Sequence, residues 1–489
     1  MTRRPPALLL LLVLVLGTRP ASRAADLASW GASLVTVEVT FKDYDLFQPW
    51  TRPTRSIRKH GLVVGEKEIL TTAQHLPNQT LVRLQKNGRG RWHNATVKWL
   101  DPHTDLAVLT TEEASFWDGL RPAALADRVP RASEFTLLRW RDGNLEGRRV
   151  EFSKFTVGEG VLSFAPRMIL EVNTDISGLG WAEAVTIDGQ IIGLTSAKGG
   201  NTCNVIPAGF IRRVLEAQRA GGFTGLGYFD FVWQPTQNPA TFDFLRLPGA
   251  PRGGVVIETA SRPGAQRVLQ SRDVLLEIDG FAVDSEGDYD DPDYGHLNAE
   301  NLATRSRFAG EAVKLKILRD GQEQETEYRL PRAEFTNELV PREAFGRDPE
   351  FLIAAGLVFQ PLNQPFLRGW GDEWARRAPF RLTYFQNDQP TAGRPALVLL
   401  SNVLPDTANL GYQTARFLVV DKINGRTIGT LDDVAAALKE PRDGVHRVEF
   451  KPGESLQRLL LDAATLDAAT ARVLQRFSIP AARSAPPAG

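Results

Sequence analysis

Between residues 32 and 194, apolar and polar positions alternate in short runs broken by turn residues, the period of half-buried strands. ASLVTVEV at 32–39 alternates throughout. Gly61-Leu62-Val63-Val64 and Glu68-Ile69-Leu70-Thr71 predict a hairpin around Gly65-Glu66-Lys67, and further strands are expected at 81–84, 95–100 and 105–109. A second set runs from 135 to 194. Its last part, ILEVNTDISGLGWAEAVTIDGQIIGL at 169–194, organises the rest of the chain. Residues 169–172 read as a strand, and 184–186 with 190–194 as a hairpin closed by Asp188-Gly189. Between them, Ser177-Gly178-Leu179-Gly180-Trp181 is a glycine-punctuated bend able to aim backbone N–H groups into one place. Apolar residues at helical spacing over 207–217 predict a closing helix, ended by Gly221-Gly222.

From Gly225 the texture changes to a repeated strand-and-turn pattern. Strands are expected at 254–257, 273–278 and 312–318, with a turn-helix starting at 262–265. A looser second copy follows: strand 397–404, strand 417–424 before Gly425, helix 432–438 and strand 447–450. Residues 481–489 are rich in Pro, Ala and Ser and are expected to be disordered.

Lys plus Arg and Asp plus Glu both number 58, so no positive surplus exists to neutralise nucleic acid or an anionic membrane. The one cysteine, Cys203, excludes an internal disulfide and a cysteine-rich zinc site, and reads as a small buried hydrophobe. The N-terminus has a basic start at 2–4, a short aliphatic run at 7–16 and small residues at Ser22 and Ala24. That is the pattern of a secretory signal peptide over 1–24, which predicts an exported protein, periplasmic or secreted, with no stable membrane span once processed.

Several motifs together resemble the HtrA/Deg (protease Do-like) family of serine proteases, in the arrangement of its plant-type branch. Gly61-Leu62-Val63-Val64 followed by Ile69-Leu70-Thr71-Thr72-Ala73 is similar to the family's approach to its catalytic histidine. Asp105-Leu106-Ala107-Val108-Leu109 is similar to its aspartate motif, and Asp188-Gly189-Gln190-Ile191-Ile192-Gly193 to the hairpin after its nucleophile. Asn204-Val205-Ile206-Pro207 is similar to its lead into the closing helix. The resemblance implies a mainly β protein: a trypsin-like double β-barrel over 28–220, then two PDZ-like α+β domains at 223–335 and 350–480.

A serine hydrolase needs a serine to attack, a histidine to take its proton and an aspartate to orient the imidazole. Asp105 stands at the family's aspartate position, but Gln74 stands at the histidine and Gly180 at the serine, thirteen places before Gly193. An amide is no general base near neutral pH, and glycine carries no nucleophile. Trp181, Ala182 and Glu183 replace the residues that usually follow. A shifted triad of Ser177, His75 and Asp105 is the competing arrangement; it needs two register slips that still converge. The main expectation is a pseudoprotease.

The resemblance also implies peptide binding. A PDZ domain adds a peptide as a strand while a turn of amides holds its terminal carboxylate. Leu226, Gly227, Tyr228 and Phe229 are similar to that turn, and Ala355-Gly356-Leu357-Val358-Phe359 to an equivalent strand in the second copy. Expected partners are polypeptide segments or C-termini, an active HtrA relative and further copies of the chain, but no nucleic acid. No cofactor is expected. His60, His93, His103 and His296 have no metal-ligand spacing, and the acidic run 284–293 does not fit an EF-hand and reads as a solvated loop.

Overall fold

The computed structural model describes residues 27–247, 249–260, 265–335, 338–371 and 373–485. The expected signal peptide, most of the 262–265 turn-helix and the last four residues lie outside them.

The alternating runs become twelve strands. The first six are β1 (Leu34–Lys42), β2 (Thr54–Gly65), β3 (Glu68–Thr71), β4 (Gln79–Lys86), β5 (Trp92–Asp101) and β6 (Leu106–Thr110). They close an antiparallel barrel in the order β1-β2-β3-β6-β5-β4. The next six are β7 (Glu134–Arg141), β8 (Asn144–Gly158), β9 (Arg167–Asn173), β10 (Ala184–Ile187), β11 (Gln190–Gly199) and β12 (Thr202–Pro207). They close a second barrel, β10-β11-β12-β9-β8-β7. This is the trypsin-like pair. The expected Asp188-Gly189 turn joins β10 to β11 with both residues at positive φ, 48° and 74°. Gly193 in β11 admits no side chain, because a Cβ there would lie 2.4 Å from the Ile206 carbonyl oxygen. Helix α1 (Ala208–Arg219) lays Ile211, Val214 and Leu215 into the core between the barrels.

The first PDZ-like unit holds β13 (Phe231–Pro235), β14 (Gly254–Thr259), β15 (Val274–Ile278), β16 (Phe281–Ala282), β17 (Asp288–Asp291), β18 (Gly295–Asn298), β19 (Ala312–Arg319) and β20 (Gln322–Arg329). Its sheet runs β13-β14-β15-β19-β20, leaving β13 at an edge. The acidic run is not the solvated loop expected from its charge. It is the β17–β18 hairpin, and it buries Tyr289 and Asp291. Arg305 Nε donates to Asp291 Oδ2 at 2.7 Å, and Tyr294 packs 4.7 Å from Phe155 of the second barrel. The ion pair and the ring contact offset the desolvation that a run of carboxylates would otherwise suffer.

The second PDZ unit holds β21 (Leu352–Ala354), β22 (Leu357–Pro361), β23 (Val398–Val403), β24 (Leu418–Ile423), β25 (Arg426–Thr427), β26 (Val445–Phe450) and β27 (Arg458–Asp462). Helices α2 (Leu431–Ala437) and α3 (Leu466–Arg476) pack on this sheet. The tail expected to be disordered is docked as far as it is described. The Ile353 amide donates to the Ala482 carbonyl at 2.7 Å, and the Phe351 amide to Ser484 Oγ at 3.1 Å. Backbone pairing along a sheet edge does not depend on side-chain composition, which is why a Pro/Ala/Ser-rich sequence gave no sign of it. The β1–β2 loop reaches this unit: Phe47 packs 4.9 Å from Trp370, and Lys42 and Arg52 each pair with Asp348 at 2.9 Å.

Candidate functional site

The turn after β3 and the turn before β10 face each other across the two barrels. Asp105 is fully buried at the start of β6, in a left-handed conformation with φ 54°. Its Oδ1 accepts from the Ala73 amide at 3.0 Å and its Oδ2 from Gln74 Nε2 at 3.3 Å. Burial pushes its carboxyl up from the ordinary range, against the pull of Arg167 and Lys59. Gln74 Nε2 also donates to the Ser196 carbonyl at 2.7 Å, so the amide spans the two barrels.

Beneath that turn lies Lys59 of β2, fully buried. Its ammonium donates to the Thr72 and Gln74 carbonyls at 2.6 and 3.0 Å, and burial pulls it down to about 7 although Asp105 and Glu183 favour its charge.

The opposite turn has no side chain at its apex. Gly180 sits at φ 101°, and a Cβ there would lie 3.0 Å from Ala197 Cα. Its amide donates to Glu183 Oε2 at 3.1 Å and the Trp181 amide to the same oxygen at 2.9 Å. The Thr195 hydroxyl donates to that oxygen as well, and the Glu183 amide donates back to Thr195 Oγ1 at 3.0 Å. In the serine-protease template the amide of the nucleophile's own residue stabilises the oxyanion. Here that amide is held by a carboxylate from three residues away.

The shifted triad is not assembled. His75 lies in the turn at φ 65°, its ring 4.4 Å from Phe41 and 5.7 Å from Trp181, and burial lowers its pKa to about 4. Ser177 is exposed, and its carbonyl accepts from Arg139 Nη1 at 3.4 Å. Among the described residues no hydrogen bond joins His75 to Ser177 or to Asp105.

In the first PDZ unit the Tyr228 amide donates to the Pro331 carbonyl at 3.3 Å and the Ala333 amide to the Leu226 carbonyl at 2.8 Å. The amides of Gly227 and Phe229 alternate with these, and among the described residues neither has a backbone partner. The turn therefore keeps donors on one side, leading into the unpaired edge of β13. Leu226 is a core residue, buried with Ala165 and Ala333. In the second unit β22 is already flanked by β21 and β23, and Leu352 and Ala354 of β21 share the core with Leu431 and Val434 of α2.

A family model described as a PDZ domain matches residues 340–486. The chain is 27% identical to Protease Do-like 2, chloroplastic, of Arabidopsis thaliana, over 94% of this chain and 76% of that protein. It is 23% identical to Putative protease Do-like 13 of the same plant, over 92% and 88%. A solved HtrA-type protease, AlgW with decapeptide, overlaps it with a TM-score of 0.47 and 17% identity, over 63% of this chain and 98% of that one. Along most of its length the chain is similar to Do-like proteases.

Gln74 and Asp105 meet in the first turn, and Gly180 lies in the opposite one. What the sequence did not yield is the company they keep. Lys59 left one signal: it is in phase with Gly61 and Val63 on the inward face of β2. The capture of the Gly180 amide by Glu183 left none, because it depends on a turn conformation. Cys203 is buried as expected, and its thiol is pushed up to about 12. Glu286, Asp288 and His296 do come together on the β17–β18 hairpin, where His296 pairs with Asp284 at 3.2 Å and Asp288 at 3.5 Å. No described helix is long and apolar enough to cross a membrane.

Proposed function

We propose that this chain is an exported pseudoprotease of the HtrA/Deg type that holds polypeptide through its first PDZ unit without cleaving it, as a scaffold or as a partner of an active relative. The observation that carries this reading is the state of the Gly180 turn: no nucleophile, and the Gly180 and Trp181 amides both spent on Glu183. The free edge of β13 and the unpaired Gly227 and Phe229 amides support a strand-adding peptide whose carboxylate meets the turn. The filled position beside β22 supports a structural role for the second unit.

Two measurements test it. Fluorescent casein and a fluorophosphonate probe should give neither cleavage nor labelling; hydrolysis that disappears in Ser177→Ala would establish the rearranged triad instead. Peptides with apolar C-termini should bind the full chain by fluorescence anisotropy. Amidating the peptide, or N-methylating the backbone amides with which it would pair to β13, should weaken binding about tenfold or more, by removing a charge-assisted bond or a ladder donor. Binding indifferent to both changes would defeat the assignment to β13.

A further inference from the structure

The second barrel and the first PDZ unit line a half-open cleft of about 530 Å³, whose lining includes Arg128, Arg167, Phe210, Arg213 and Arg305 and also four acidic residues. Three cations in and around it are matched: Arg128 with Asp293, Arg212 with Asp127, and Arg305 with Asp291. Arg167 and Arg213 are not. Among the described residues neither has a carboxylate in ion-pair range. Arg167 is 2% exposed; its Nη1 reaches the Thr104 carbonyl at 2.5 Å, and its Nε has no partner at all. Arg213 donates to the carbonyls of Thr304 and Arg307. Their guanidinium carbons lie 5.3 and 5.6 Å from the centroid of the same ring, Phe210.

Helix α1 begins in the same cleft. Pro207, Gly209 and Phe210 line it, and the first turn has neither a capping side chain nor an acidic residue. The positive end of a twelve-residue helix thus points where one buried guanidinium, Arg167, and one half-buried, Arg213, have no carboxylate in ion-pair range, the nearest electrostatic partner of Arg167 being the buried Asp105. Burying a cation is costly unless it is paired, and carbonyls with one aromatic ring compensate only part of that cost.

We propose that this cleft is an anion site taking one phosphate group, inorganic or borne on a small ester. Arg167 and Arg213 offer planar donors suited to phosphate oxygens, and the first turn of α1 supplies backbone N–H groups. The space exceeds that of a bare phosphate, which leaves room for an attached organic group. The bound group would also join the two units. Arg167 holds the carbonyl beside Asp105, while Arg213 holds the Thr304–Arg307 turn of the PDZ unit. The proposal is independent of the reading of the degenerate cleft.

Calorimetric titration of the full chain with inorganic phosphate and with glycerol phosphate, at ionic strength matched by NaCl, provides the test. Saturable binding is expected, weakened about tenfold or more in Arg167→Met and in Arg213→Met. Tighter binding of the ester would assign the spare volume to an organic group, and tighter binding of phosphate would confine the site to the inorganic ion. Heat that follows ionic strength alone, or binding unchanged in both variants, overturns the proposal. Should a variant fail to fold, crystals soaked in tungstate decide the matter: anomalous density beside Phe210 supports the site, and its absence there overturns it.

Discussion

The two turns that meet across the barrels are held in different ways. In the first, an amide side chain stands against a buried carboxylate. Asp105 accepts two hydrogen bonds, and Gln74, the side chain that meets it, is anchored to the opposite barrel through the Ser196 carbonyl. The second has a glycine at its apex and no free amides there, since Glu183 folds back and takes the Gly180 and Trp181 amides. The first is set by one side chain; the second is set by a glycine, a positive φ and a buried carboxylate together.

The largest expected effect is at Glu183. Glu183→Ala would leave two amides and the Thr195 hydroxyl without their acceptor, costing about 2–4 kcal/mol in chemical denaturation. A change near zero would mean that the carboxylate does not hold the turn. Next is the pH dependence due to Lys59. Its pKa is lowered in the folded chain from 10.5 to about 7, so between those values the unfolded chain holds more protons and stability rises with pH. The slope should approach ~1.4 kcal/mol per pH unit and should vanish in Lys59→Met. A wild-type curve parallel to that of the variant would show that the lysine titrates normally. Third, Gly180→Ser should lose about 1–3 kcal/mol from its positive φ and its contact with Ala197, and should stay unlabelled by a fluorophosphonate. The smallest effect belongs to Gln74→His, a stability change of about 1 kcal/mol with no hydrolysis. Any turnover from that single variant would move the nucleophile elsewhere and dissolve the contrast between the turns.

A similar contrast separates the two PDZ units, and it bears on what a sequence can convey. Both show the same strand-and-turn pattern, and peptide binding was expected of the first. Only the tertiary pairing distinguishes β13, open on one side, from β22, already flanked by β21. The acidic hairpin and the C-terminal residues were misread for the same reason. Charge and low hydrophobicity describe a segment by itself, whereas Asp291 is buried because Arg305 and Tyr289 come to it.

The sequence by itself determined the two barrels, through alternation and turn residues, and the amide at 74 and the bare backbone at 180. Both are local properties: a period of two needs only neighbouring residues, and an absent hydroxyl is absent in any conformation. Only the tertiary structure decided that Glu183 closes the amide nest, that Lys59 turns inward beneath Gln74, and that Arg167 and Arg213 converge on Phe210. Such convergence is set by how barrels, helix and PDZ units pack, and burial is what turns it into a large electrostatic effect.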